Sequence, residues 1–105
     1  MSSKMLVFMV SLLSMFLLTS CGSKTDIVDS GTYAGTIKKV EPEKREIYVT
    51  LEDEKLIELY FIDETILTKN GQPVDFSELT AGQKVSVTVK RTGNRLDPTA
   101  VDILD

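Results

Sequence analysis

Residues 46–62, EIYVTLEDEKLIELYFI, decide the fold class, because they contain two runs in which every second side chain is apolar. The apolar positions are all odd-numbered: Ile47, Val49 and Leu51, then Ile57, Leu59 and Phe61. A period of two is typical of a β-strand with one face against a core. The charged residues between the runs favour a turn. The stretch therefore predicts a β-hairpin with an odd-numbered inner face.

The odd numbering also constrains the register of this hairpin. Residues that face each other across an antiparallel pair lie on the same side of the sheet, so the numbers of paired residues must have an even sum. An even sum requires a loop of odd length. We place that loop at residues 53–55, which puts Tyr48 directly opposite Tyr60. The same argument predicts an odd-length loop near Gly93 and Asn94.

Alternation continues from Gly31 to the end of the chain. It predicts strands at residues 33–40, 46–52, 56–62, 65–69, 84–91 and 96–103, with Val85, Val87, Val89, Val101 and Ile103 inward. Pro98 cannot donate to a strand ladder, so the last strand should begin at an edge or carry a bulge there. Five or six short strands predict a small all-β domain, an antiparallel barrel that is closed or nearly closed, because closure hides the sheet edges.

Two connections carry local signals. Asn70-Gly71 is typical of a tight hairpin turn. Residues 75–79 predict one short helical turn, in which Asp75 and Glu78 have the spacing of a capping box.

The amino-terminal residues follow a different pattern. Lys4 precedes an almost wholly apolar run at residues 5–18. The run is shorter than the roughly 20 residues that span a membrane, and it has the length of the apolar region of a signal peptide. It leads directly into Leu18, Thr19, Ser20 and Cys21.

These four residues resemble the lipobox of bacterial lipoproteins, which is an aliphatic residue, two small residues and a cysteine. The resemblance implies that residues 1–20 are a cleaved signal peptide and that the Cys21 thiol carries a diacylglyceryl group. We therefore expect a chain anchored by lipid in the cell envelope. Gly22, rather than aspartate, favours the outer membrane of a Gram-negative cell, at its periplasmic face or the cell surface. In a Gram-positive cell the anchor would lie in the outer face of the plasma membrane.

The mature part divides into two segments. Residues 21–31 are small and polar, and we interpret them as the lipidated cysteine and a flexible tether. Residues 32–105 form the barrel domain. Within it, residues 35–37 (GTI), 69–72 (KNGQ), 79–87 (LTAGQKVSV) and 100–103 (AVDI) resemble a family of exported bacterial domains of unknown function. The resemblance implies an OB-like barrel and no particular activity.

Composition argues against several function classes. Without Lys4 the chain has 11 basic and 16 acidic residues, a difference of −5, which opposes binding to nucleic acids. There is no histidine, so the usual general base and the commonest zinc ligand are missing. The acidic run at residues 52–54 lacks the spacing of a calcium loop. We identify no catalytic residue and no metal ligand, and we expect no cofactor.

Tyr48 and Tyr60 are the best candidates for a binding face. Both are even-numbered and lie on the outer face, together with Thr50 and Glu58. OB-folds bind oligomeric ligands on the face of strands two and three, and exposed aromatic rings are good stacking platforms. The alternative is a cross-strand aromatic pair that only stabilises the sheet.

Three functional hypotheses follow. The first is a membrane-anchored, non-enzymatic binding or accessory module with an envelope protein or glycan as partner. The second is a structural spacer, or a subunit of an envelope assembly with no soluble ligand. The third is a small hydrolase, for which Ser77 or Ser86 with a lysine, for example Lys84, would be a formal nucleophile and base.

Overall fold

The computed structural model describes residues 25–104, so the segment predicted to be a signal peptide and Cys21 lie outside the described part of the chain. Seven strands form one sheet in the order β3-β2-β1-β6-β7-β4-β5. They are β1 (Gly31–Glu41), β2 (Glu46–Leu51), β3 (Leu56–Tyr60), β4 (Ile66–Lys69), β5 (Gln72–Pro73), β6 (Lys84–Thr92) and β7 (Arg95–Ile103). All neighbours are antiparallel except β4 and β7. The all-β fold class predicted from alternation is confirmed, and the two-residue β5 is an addition.

The inner face predicted from the odd-numbered residues is the core. All six apolar residues of the hairpin are at most 8% exposed, and Val85, Val87, Val101 and Ile103 from β6 and β7 are buried with them. Alternation places these side chains on the concave side of a curved sheet, where they exclude water from one another. Each fully buried aliphatic side chain contributes about 1.5–3 kcal/mol relative to an exposed one.

The long strand β1 joins the two halves of the barrel because it pairs with β2 along one edge and with β6 along the other. Its register against β2 shifts between Ile37 and Lys39, which is a β-bulge. Gly35 lies where β1 crosses closely over β2, since a Cβ there would be 2.6 Å from the Thr50 carbonyl oxygen. A bulge and a close glycine approach are the means by which a strand bends around a small barrel.

Residues 25–30, which the sequence assigned to the tether, contact the barrel. The Asp26 N–H donates to the Leu56 carbonyl oxygen at 2.7 Å, and the Leu56 N–H donates to the Asp26 carboxylate at 2.9 Å. Val28 is part of the core. The segment therefore binds the free edge of β3 at Leu56 and adds Val28 to the core.

The register predicted for the β2–β3 hairpin is wrong by two residues. Tyr48 lies opposite Glu58, and Tyr60 lies opposite Glu46. The loop is odd in length, as parity requires, but it consists of residues 52–54 rather than 53–55. Its shape explains the difference, because Glu54 adopts a left-handed conformation (φ 71°), as the last residue of a three-residue hairpin loop does.

The odd-length loop predicted near Gly93 is also wrong. Thr92 pairs with Arg95, so Gly93 and Asn94 form a two-residue turn. A β-bulge accounts for the even loop length. Thr88 pairs with Ala100, an even sum, whereas Val89 pairs with Pro98, an odd sum. The prediction that Pro98 lies at an edge or a bulge is confirmed, and the bulge lets even-numbered Leu96 and odd-numbered Val101 of β7 both face the core.

The helical turn exists, but it is a 3₁₀ turn of three residues, Phe76–Glu78. The predicted capping box is wrong, because the Asp75 side chain makes no capping hydrogen bond. The Glu78 N–H donates instead to the Asp75 main-chain oxygen at 2.9 Å. Such a short turn closes through its backbone alone and leaves no series of free N–H groups for a cap. The Asn70-Gly71 turn is confirmed, with both residues at positive φ. Within residues 25–104, no helix has the length and apolar character needed to cross a membrane.

Candidate binding face

Two rows of side chains cross the outer face of β1, β2 and β3. In one row Lys39 faces Tyr48, which faces Glu58 on its other side. In the adjacent row Glu41 faces Glu46, which faces Tyr60. The four residues of β2 and β3 in these rows, Glu46, Tyr48, Glu58 and Tyr60, form what we call the acid–tyrosine cluster.

Glu46 is the unusual member of the cluster because it is a charged residue type with 0% exposure. Within the described residues, neither of its carboxylate oxygens has a hydrogen-bond partner. Its neighbours on the same face, Glu58 and the two tyrosines, lie near enough to influence its protonation. Burying an ionised carboxylate without partners is expensive, so the neutral form is favoured.

The two carboxyls of the cluster have opposite pKa shifts. Burial, followed by the nearby Glu58 carboxyl, raises the pKa of Glu46. The Glu46 carboxyl in turn lowers the pKa of Glu58, with smaller contributions in the same direction from the Tyr60 and Tyr48 hydroxyls. Over a range of pH, Glu46 therefore keeps its proton while Glu58 is ionised. Two close carboxyls separate their titrations in this way because both cannot ionise easily together.

The two tyrosines differ in how accessible they are. The Tyr48 side chain is half-buried, its hydroxyl donates to Glu58 Oε2 at 3.4 Å, and Lys39 Nζ is 5.8 Å from its ring centre. Burial and the charge of Glu58 raise the pKa of Tyr48 to about 12, so it remains a neutral donor. Tyr60 is 48% exposed. Tyr60 is therefore the ring that a partner can reach, whereas Tyr48 holds Glu58 in place.

An ion pair on β1 borders the cluster. Lys39 Nζ lies 2.7 Å from Glu41 Oε2, and this ion pair raises the pKa of Lys39 and lowers that of Glu41. The face thus combines an ionised carboxylate and an exposed ring with a paired lysine beside them. Such a surface can accept hydrogen bonds from hydroxyl or N–H groups while a ring or sugar face stacks on Tyr60.

The residues proposed from the sequence are only partly brought together. Tyr48, Tyr60 and Glu58 lie in the cluster, whereas Thr50 faces Leu56 one row nearer the hairpin loop. Glu46 was missed in the sequence analysis. Its signal was present, because it is even-numbered and lies two residues before Tyr48, but a residue at a strand's first position gives no indication of its burial.

The described residues contain no group of three side chains able to hold a metal ion. The sequence adds a second observation, since residues 22–105 contain no histidine, no methionine and no cysteine. These are the residues that soft metal ions prefer as ligands.

Comparisons with known proteins agree on the fold. No protein-family model matches the chain, and no match was found among curated proteins. The solved structures similar to it include CusF of Escherichia coli. A Cu(II)-bound variant of CusF has a TM-score of 0.58 and 15% identity, covering 78% of this chain and 100% of that one. The apo form has a TM-score of 0.57 and 14% identity, covering 81% of this chain and 98% of that one. The fold is therefore that of a small OB-like barrel.

Proposed function

We propose that this chain is a lipid-anchored, non-enzymatic binding module of the bacterial cell envelope, and that the acid–tyrosine cluster is its partner-binding surface. Lipid on Cys21 supplies the anchor, and an envelope protein or glycan is the partner. The barrel acts as a rigid support that holds the cluster away from the membrane.

The observation that carries this proposal is Glu46. A small domain gains little from burying a carboxyl, because burial disfavours the charged form and raises the pKa of Glu46. The cost is consistent with a functional role, because it holds Glu58 ionised beside the exposed ring of Tyr60. Structural strain of this kind concentrates at binding sites.

The solved neighbours support a binding module but not the same ligand. The structures of CusF contain Cu(II) and Ag(I). This chain has none of the soft ligands after Cys21, so copper and silver are not part of the proposal. The carboxylate and tyrosine groups of the cluster suit hydroxyl and N–H donors instead.

Site-specific photo-crosslinking in intact cells tests the binding face. A benzophenone amino acid is placed at position 60, and the matched control carries it at position 90, which is exposed on β6. We expect a discrete crosslinked species from position 60 only, and its yield should fall in the Glu58→Gln background. Equal crosslinking at the two positions, or none at position 60, would favour the spacer hypothesis over the binding module.

Metabolic labelling with a fatty-acid probe tests the anchor. The parent chain should incorporate the probe and fractionate with membranes, whereas Cys21→Ser should do neither. The matched control is Ser20→Ala, which keeps a small residue before the cysteine. If Cys21→Ser labels as strongly as the parent, the chain is not a lipoprotein.

A further inference from the structure

A second concave surface lies on another part of the barrel, between the end of β3, the β4–β5 hairpin and the 3₁₀ turn. Its volume is about 480 Å³, within the range of sites that hold small molecules. The walls are mainly apolar and include Phe61, Ile66, Leu67, Pro73, Val74 and Phe76. Ile66 is 61% exposed and lines the pocket. We call this surface the Phe61–Phe76 pocket.

Arg45 is held at the pocket by its backbone. Its φ of 52° lies in the left-handed region, which is unfavourable for a residue with a side chain. The Arg45 N–H donates to the Pro42 oxygen at 3.1 Å, and the Phe61 N–H donates to the Arg45 oxygen at 2.8 Å. These two hydrogen bonds fix the start of the side chain next to Phe61. The left-handed conformation ends the 3₁₀ turn at Pro42–Lys44, and Arg45 lines the pocket from there.

The Arg45 side chain completes an aromatic stack. Its guanidinium carbon is 5.1 Å from the ring centre of Phe76. Phe76 in turn meets Phe61 edge to face, with ring centres 4.9 Å apart and an angle of 86°. A guanidinium on an aromatic ring keeps its edge free for hydrogen bonds in the plane of the group.

The charge of Arg45 is not neutralised within the described residues. The other two arginines of the chain are paired: Arg91 lies 3.3 Å from Asp29, and Arg95 lies 3.0 Å from Asp97. Asp75 also lines the pocket, but it forms no ion pair with Arg45. The pocket therefore joins an unpaired planar cation to an apolar wall, in a chain that is acidic as a whole.

We propose that the Phe61–Phe76 pocket binds a small organic carboxylate with an apolar body, through a paired hydrogen bond from Arg45 to the carboxylate. Arginine matches a carboxylate with two parallel N–H···O bonds, which a single point charge cannot do. The apolar body lies against Phe61, Phe76 and Ile66. The volume of the pocket is that of a small-molecule site, so the ligand is a free small molecule. This inference is independent of the acid–tyrosine cluster.

The test uses 3-phenylpropionate as the probe and its amide as the uncharged analogue of the same shape. The purified full chain is held in phosphatidylcholine nanodiscs, with empty nanodiscs as the blank, and binding is measured by calorimetry and by NMR shifts. We expect the carboxylate to bind at least tenfold more tightly than the amide, with shifts confined to the pocket residues. This contrast needs no variant and so does not depend on any change to the fold.

Variants then assign the recognition to Arg45. Arg45→Gln should lower the affinity for the carboxylate at least tenfold and leave the weak amide binding unchanged, and Arg45→Lys should restore only part of the loss. The matched control, Arg95→Gln, should bind as the parent does, and Asp75→Asn should bind more tightly. The proposal is overturned if acid and amide bind equally, if the parent binds neither at millimolar concentration, or if Arg45→Gln and Arg95→Gln behave alike.

Discussion

The two faces of the β2–β3 hairpin are built from alternate residues of one short stretch, yet they differ in almost every physical respect. The inner face is aliphatic and aromatic, and it is buried with the valines of β6 and β7. The outer face carries two carboxyls and two tyrosines, one of the carboxyls fully buried and without a hydrogen-bond partner in the described structure. The inner face is packed with apolar side chains that need no hydrogen bond, whereas the outer face buries a carboxyl that has no hydrogen-bond partner in the described structure. The buried carboxyl of Glu46 is therefore the feature that distinguishes the outer face as a candidate binding surface.

The largest expected loss of stability is for a charge placed on the inner face. Val87 is fully buried at the centre of β6, and Val87→Asp would place a carboxylate among aliphatic side chains. We expect a loss of more than about 4 kcal/mol of unfolding free energy, enough to prevent folding of so small a domain. Thr88→Asp changes the next residue on the opposite face and should cost less than about 1 kcal/mol. Equal losses for the two variants in urea unfolding would show that the assignment of faces is wrong.

The second prediction concerns the close approach of β1 to β2. Gly35→Ala would place a Cβ 2.6 Å from the Thr50 oxygen and 2.7 Å from Val49 Cγ1, so backbone must move. We expect a loss of about 1–3 kcal/mol, the usual cost of overpacking. Gly31→Ala on the same strand is the control, because its nearest atoms belong to Tyr33 at 3.7 Å and beyond. If thermal unfolding finds the two variants alike, β1 does not cross β2 as closely as described.

The third prediction uses pH to separate the two carboxyls of the outer face. Because the pKa of Glu46 is raised in the folded state, its contribution to stability is full below the ordinary value of 4.5 and is lost as the pH rises through the folded pKa. Glu46→Gln does not titrate and should keep this stability. We expect the variant to match the parent at pH 4 and to exceed it at pH 8, by about 1.4 kcal/mol for each pH unit by which burial raises the pKa of Glu46.

Glu58→Gln is the matched control for that experiment. The pKa of Glu58 is lowered in the folded state, so its contribution is present above 4.5 and is lost as the pH falls. Glu58→Gln should therefore be less stable than the parent at pH 8, with the difference shrinking towards pH 4. A difference between Glu46→Gln and the parent that does not change with pH would contradict the burial of Glu46.

The difference between the faces also explains what could be predicted from the sequence. A shift of two residues leaves every side chain on its own face, so the inner residues, such as Val49 and Leu59, were assigned correctly although the register was wrong. The same shift replaces every cross-strand neighbour. In the structure Tyr48 therefore faces Glu58 instead of Tyr60, and Tyr60 faces Glu46, which the sequence does not indicate as part of the cluster. The register depends on the left-handed conformation of Glu54, a residue that gives no local signal for it.

The bulges were harder to predict than the strands for a related reason. Pro98 indicates that β7 is irregular. Parity, however, predicts the length of the loop at Gly93 correctly only if the ladder between β6 and β7 is unbroken, and it is not. Nothing in the residues near Lys38 distinguishes a bulge from regular β1. Bulges are set by the curvature that the whole barrel requires, and the sequence pattern of one strand contains no information about that curvature.

The smallest expected effect is the coupling energy between neighbouring side chains of the outer face. Tyr48 and Glu58 are direct cross-strand neighbours joined by a 3.4 Å hydrogen bond, whereas Tyr48 and Tyr60 are diagonal neighbours. A double-mutant cycle with Tyr48→Phe and Glu58→Gln should give a coupling energy of about 0.5–1 kcal/mol, within the range of cross-strand pairs. The cycle with Tyr48→Phe and Tyr60→Phe should give about 0.3 kcal/mol or less, because the two hydroxyls interact only indirectly, through the carboxyls of Glu46 and Glu58. The opposite order of coupling in urea unfolding would return the hairpin to the register in which the two tyrosines face each other. In that register Glu46 would no longer lie beside Tyr60, and the binding surface proposed for this face would lose its central residue.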